Sequence, residues 1–189
     1  MSSPKRIHVY GHVSAQPQAI ANLFGAQLAS DVSAESDLAI FAVNPAAGID
    51  QKTIEQWQAL SDFQLPRMVV VNELEGSDSD FEDAIMIANR VFDQLVTPYL
   101  VLHSESGSPI ALISLSDMQI TDYSTNPPTT SQSEVEHQEL VAEFREEYLE
   151  EISAAGESAF AAGLLFPAVP IVISNGLGID VVRNFINQL

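Results

Sequence analysis

The stretch GHVSAQPQA, residues 11–19, stands where a phosphate-binding loop would stand. It follows the apolar run Ile7–Val9 and precedes an amphipathic run containing Ile20, Leu23, Phe24 and Leu28. A working loop of the form G-x-x-x-x-G-K-[ST] needs each of its parts. The second glycine lets backbone N–H groups wrap the phosphates, the lysine reaches the β- and γ-phosphates, and the hydroxyl holds magnesium. Gly11 fits the first position, but Gln16, Pro17 and Gln18 occupy the last three. Pro17 has no N–H to give, and Gln18 is a poor magnesium ligand. The chain has two lysines, Lys5 and Lys52, so no G-K-[ST] occurs anywhere in it.

Other chemistry has even less to start from. With no cysteine there is no disulfide, thiolate metal site or thiol nucleophile. His8, His12, His103 and His137 are scattered, without the H-x-H or H-x-x-x-H spacing of a metal pair, and no G-x-S-x-G is present. The acidic segment EGSDSDFED, residues 75–83, resembles a calcium loop in composition but lacks the order of one; it reads as a helix start favoured by the macrodipole. We expect no catalytic residue, no metal and no cofactor.

The elements that would position these residues alternate between strand and helix. Residues 6–10, 38–43, 67–72 and 168–174 read as strands, the last three as continuous apolar runs suited to burial in a parallel sheet. Helices are expected near 17–29, 51–61, 76–95, 134–155, 157–165 and 178–188, with Ser79 and Glu82 as a capping box in the third. Residues 99–124 change texture to short strand-like pieces between Gly, Ser and Asp turns, a small antiparallel meander. TNPPTTSQS, 125–133, reads as a linker. The fold class is α/β, a mostly parallel sheet flanked by helices with a small inserted antiparallel β subdomain.

The order of these elements resembles the nucleotide domain of translational GTPases, elongation factor G above all. In KRIHVYGHVSAQPQAIANLF, Gly11, His12, Val13 and Ala15 match the pattern G-H-V-D-A-G-K-[ST]-T, while Ser14, Gln16, Pro17 and Gln18 do not. SDLAIFAVNPAAGIDQKTIEQWQALSDFQLPRMVVVNELE is similar to the stretch running to the guanine-reading N-K-x-D. There Asn72 matches, Glu73 replaces the lysine with reversed charge, and Glu75 stands at the Asp. AAGLLFPAVPIVISNGLGIDVVRNFI resembles the last strand and helix, with Ser174 at the strand's end. The family's D-x-x-G is missing, since none of the nine glycines has an Asp three residues before it. Only SDVSAESD separates the first helix from LAIFAV, which leaves no room for either switch. The resemblance therefore implies a P-loop-NTPase-like fold with a degenerate G-domain core at 1–97 and 157–189 and an inserted subdomain at 98–156. It also implies a nucleotide site degenerate at Gly11, His12, Gln16, Pro17, Gln18, Asn72, Glu73, Glu75 and Ser174.

Composition sets the remaining expectations. Twenty-six acidic residues against seven basic ones give a net charge of −19. Nucleic-acid affinity rests on Lys and Arg neutralising phosphates, so nucleic acid and anionic membrane are poor partners. A basic protein partner and simple solubility are both open readings of the charge. No apolar run approaches a membrane span, and MSSPKRIHVY lacks a signal-peptide core, so a cytoplasmic protein is expected. Since the chain ends at NFINQL, elongation factor G's later domains are expected to be absent. In the family the strand beside the first one belongs to the missing segment, which should leave strand 6–10 at the sheet edge. That edge could pair with a second copy or a partner strand, or be guarded by Lys5, Arg6 and His8. Two functions follow: a non-catalytic pseudo-GTPase serving as a protein-interaction or scaffold module, and alternatively a GTP-binding regulator of translation with a remodelled site.

Overall fold

The computed structural model describes residues 3–75 and 79–189. The first half is built of strand–helix units: β1 (Ile7–Gly11), α1 (Pro17–Phe24), β2 (Gln27–Leu28), β3 (Leu38–Val43), α2 (Gln51–Ser61), β4 (Arg67–Val71) and α3 (Phe81–Val91). Then come β5 (Leu95–Val96), β6 (Tyr99–His103), β7 (Pro109–Ser114), β8 (Gln119–Asp122), β9 (Thr129–Gln132), α4 (Val135–Leu140), α5 (Ala142–Ala155), β10 (Phe166–Pro170) and α6 (Ile179–Asn187). Six strands form an all-parallel sheet in the order β2-β1-β3-β4-β10-β5, flanked by helices. The other four form a separate antiparallel sheet, β6-β7-β8-β9. The α/β class with a second small antiparallel sheet is thus the observed architecture. Every residue of β3, β4 and β10 is buried, as continuous Val/Ile/Leu runs demand when helices cover a parallel sheet.

The main core is organised around Trp57 on α2, which is 1 % exposed. Its ring stacks on Phe92 at 4.3 Å and meets Phe41 and Phe166 edge-on at 5.0 and 5.4 Å. Arg67, at the start of β4, is buried between Trp57 and Phe166, its guanidinium 4.5 and 4.4 Å from the two ring centroids. It donates to the Trp57 carbonyl (3.0 Å) and the Ser61 hydroxyl (2.9 Å), and Asp93 lies 3.6 Å away. Burial pulls the Arg67 pKa down, and the Asp93 carboxylate opposes this.

Several expectations are corrected. Strand β1 is not at the sheet edge. After α1 the chain turns at Gly25 (φ 61°) and runs back alongside β1, so that His8 pairs with Gln27 and Val9 with Leu28. Ala29 N–H then donates to the Val9 carbonyl at 3.0 Å. The short SDVSAESD segment therefore joins this return strand, not the first helix, to β3. On β1's other side, Arg6 and Asp37 clamp the strand starts: Arg6 N–H donates to the Asp37 carboxylate and Asp37 N–H to the Arg6 carbonyl, both at 2.7 Å. The capping box of α3 is Asp80 with Asp83, one residue later than expected, because either frame satisfies the three-residue spacing. Residues 76–78, near the start of the acidic segment compared above with a calcium loop and of the helix expected there, lie outside the described residues. The linker 125–133 contains β9, whose Thr129–Gln132 pairs with β8; its sequence TTSQ is exposed throughout and carries no apolar alternation.

The helix expected at 134–155 is two helices broken at Val141, which turns into the second core beside Leu100, Ile113, Leu115 and Met118. Residues 157–163 are turns rather than a helix, bracketed by Gly156 and Gly163 at positive φ. No helix among the described residues is long and apolar enough to cross a membrane.

Candidate functional site

The C-terminal ends of β1, β3, β4 and β10 converge with the start of α1, which is where a doubly wound sheet places its ligand. The loop from β1 to α1 is short and internally bonded. Gly11 sits at φ 148° with its α-carbon against β3: a Cβ there would lie 2.6 Å from the Ala42 carbonyl oxygen. A 3-10 turn spans Val13–Ala15. His12 caps it, its Nδ1 accepting from the Ser14 N–H at 3.2 Å and lying 2.8 Å from the Ser14 hydroxyl. Ala15 N–H donates to the His12 carbonyl and Gln16 N–H to the Val13 carbonyl, each at 3.0 Å. Pro17 is the first residue of α1 and brings no N–H. At four successive positions, 14 to 17, the amide is therefore either engaged within the loop or missing.

Two asparagines hold the loop from behind. Asn72, buried at the end of β4, donates through Nδ2 to the Ala15 carbonyl at 3.0 Å. Asn44, just after β3, does the same to the Ser14 carbonyl at 2.9 Å. Sequence reasoning singles out Asn72 and misses Asn44, although both follow a buried apolar strand directly; that parallel placement is the available signal.

Gln16, at the position of the motif's second glycine, keeps the left-handed backbone that favours glycine, at φ 53°. Its side chain projects across the loop mouth and donates to Glu73 Oε1 at 2.5 Å. Glu73 is itself left-handed, at φ 61°. The two positions where the resemblance expects a glycine and a lysine, Gln16 and Glu73, are thereby paired with each other. Glu75 is engaged as well: the Ser174 hydroxyl lies 2.9 and 2.8 Å from its two carboxylate oxygens. Gln16, Asn72, Glu73, Glu75 and Ser174 together line a cavity of about 320 Å³. The structure thus brings all five to one place, but with their polar groups turned to one another and to the loop. Gln18 points elsewhere, bonding Asn22 at 3.0 Å along α1. It lines an open groove of about 770 Å³ between α1 and α2, with Pro17, Asp50, Lys52 and Gln56.

The electrostatics of the small cavity are acidic. Two carboxylates stand on its wall, and no Lys, Arg or His is among its described lining residues. Lys52 lines the neighbouring groove together with Asp50, whose carboxylate accepts the Thr53 hydroxyl bond at the start of α2.

No protein-family model matches the chain. It is 28 % identical over 164 residues to the elongation factor G-like protein of Mycobacterium tuberculosis, in both strain CDC 1551 / Oshkosh and strain ATCC 25618 / H37Rv. The match takes in 76 % of this chain but only 23 % of the relative's length. Among solved structures, one of a protein from Thermus thermophilus superposes with a TM-score of 0.68 at 21 % identity, over 82 % of this chain and 26 % of that one. The chain is thus related at low identity to elongation factor G-like proteins and shares its fold with a longer chain.

Proposed function

We propose that this chain is a pseudo-GTPase domain, a relative of elongation factor G-like proteins that holds no nucleotide and works as a protein-interaction or scaffold module. The observation that carries this reading is the closed loop. The amides that would wrap a phosphate are bonded to His12 and Val13, and Gln16 and Glu73 bridge the mouth. A triphosphate would have to break these bonds and then sit beside two carboxylates without lysine or magnesium support. Phosphoryl transfer depends on positioning and charge stabilisation, and the residues here supply neither.

The scaffold part of the reading rests on surface. Eight glutamates lie between residues 134 and 151. Among them Val135, Leu140, Phe144 and Leu149 are exposed apolar side chains on α4 and α5. An acidic, partly apolar helical face suits a protein partner of basic character. With β1 inside the sheet, pairing through strand 6–10 is not part of this proposal. The alternative, a GTP-binding regulator of translation, has one observation in its favour, the ammonium of Lys52 in the open groove.

Calorimetry with GTP and GDP in magnesium separates the two. No heat of binding at millimolar nucleotide is the expected result; micromolar affinity would establish the regulator instead.

A further inference from the structure

A second cavity, of about 270 Å³, lies where the antiparallel sheet, α5 and α6 meet, well away from the loop of the degenerate site. Its size is just below the roughly 300–1,000 Å³ typical of drug-sized ligand pockets, which suits a smaller ligand. Four aromatic rings line it: Tyr99 from β6, Tyr148 from α5, Phe160 from the turn after α5, and Phe185 from α6. Phe160 and Phe185 pack edge to face at 5.2 Å. Glu157 stands among the lining residues, and the Asn184 carboxamide supplies a polar group on the α6 side. No Lys, Arg or His is among its described lining residues. Arg145 on α5 is held by the carbonyls of Leu115 and Ser116 at 3.0 and 3.2 Å, and Lys5 by the Ile186 carbonyl at 2.5 Å.

From this arrangement we infer that the cavity is a binding site for a small organic cation, a quaternary ammonium or comparable amine, seated against Tyr99, Tyr148, Phe160 and Phe185 with Glu157 as counter-charge. Ring faces attract a desolvated cation through their quadrupole, most strongly where several rings enclose it. The surrounding field has the right sign: carboxylates of Asp180 and Asp117 act on Tyr99 strongly enough to add to the effect of burial in raising its phenol pKa. Tyr148 is raised too, by burial and by Tyr99, so both phenols stay neutral. An anion would meet only acidic and neutral groups here, and a chain of net charge −19 repels it from a distance.

The test is an amide NMR titration of the whole chain with choline, set against dimethylbutanol, its uncharged isostere, with sodium chloride holding ionic strength constant. Choline should give saturable shifts at Tyr99, Tyr148 and Phe185, and the isostere should bind about tenfold more weakly. Tyr148→Leu should abolish the shifts while Tyr148→Phe keeps them. Glu157→Gln, an isosteric change at an exposed position, should weaken choline about threefold. Equal binding of choline and the isostere, the absence of saturation, or shifts spread over the acidic surface that sodium reproduces would each overturn the inference.

Discussion

At the scale of single residues, the loop shows which contacts hold a structure and which merely close it. Asn72 is 3 % exposed and satisfies a backbone carbonyl inside the protein. Gln16 and Glu73 meet at the surface. Removing a buried partner leaves the other group unsatisfied, whereas an exposed pair can return to water. Asn72→Ala should therefore cost about 1–3 kcal/mol in urea unfolding, and Glu73→Ala should stay within about 0.5 kcal/mol. Equal losses for the two variants would mean that the surface bridge anchors the loop as much as the buried asparagine does. Most of the site's residues can be named from sequence through the resemblance, because Gly11, Asn72 and Glu75 stand where the family's motifs follow their strands. Their pairing cannot, since Gln16 and Glu73 are 57 residues apart and only the folded sheet brings them together. His12 as a cap is equally hidden: a histidine accepting from the amide two residues on leaves no periodic trace.

Among elements, the buried strands are the most legible part, because a run such as LAIFAV or RMVVV has few other homes. The short and polar pieces are not. β2 is two exposed residues, β9 is TTSQ, and β5 is a Leu-Val pair; none carries a pattern long enough to separate a strand from a loop. The break at Val141 hides inside an unbroken run of good helix formers and is set by the second core pulling that side chain inward. The packing of α2 on β4 makes a prediction of its own. Asp93 accepts from the Trp57 indole N–H at 2.9 Å and lies beside the buried Arg67. Asp93→Ala would strip the indole of its acceptor and leave the guanidinium without its counter-charge. A loss of about 1–3 kcal/mol is expected, less than for a fully buried pair because the Asp93 carboxylate is half exposed. Thermal or urea unfolding that matches the unsubstituted chain would show that the aromatic sandwich and the bonds to Trp57 and Ser61 hold Arg67 without Asp93.

For the whole molecule, charge dominates. All four tyrosines, Tyr10, Tyr99, Tyr123 and Tyr148, have phenols raised by burial as the largest cause. Tyr123 is raised most, its hydroxyl donating to Asp180 at 2.7 Å. A pKa raised by folding means the stabilisation is complete below the unfolded value, about 10 for tyrosine, and is lost as pH climbs toward the folded one. Alkaline unfolding should therefore begin above pH ~10, with phenolate absorbance appearing in step with loss of structure. Added salt should raise the melting temperature near neutral pH by screening self-repulsion among 26 carboxylates. Phenolates that titrate smoothly near pH ~10 while the fold persists would contradict the burial of those rings. The same 189 residues at neutral pH offer the most direct check on the closed loop: amide NMR of Ser14, Ala15 and Gln16 while GDP and magnesium are added to millimolar concentration. These three signals should stay where they are and remain protected from exchange. Saturable movement of all three would show that the loop opens to hold phosphate after all.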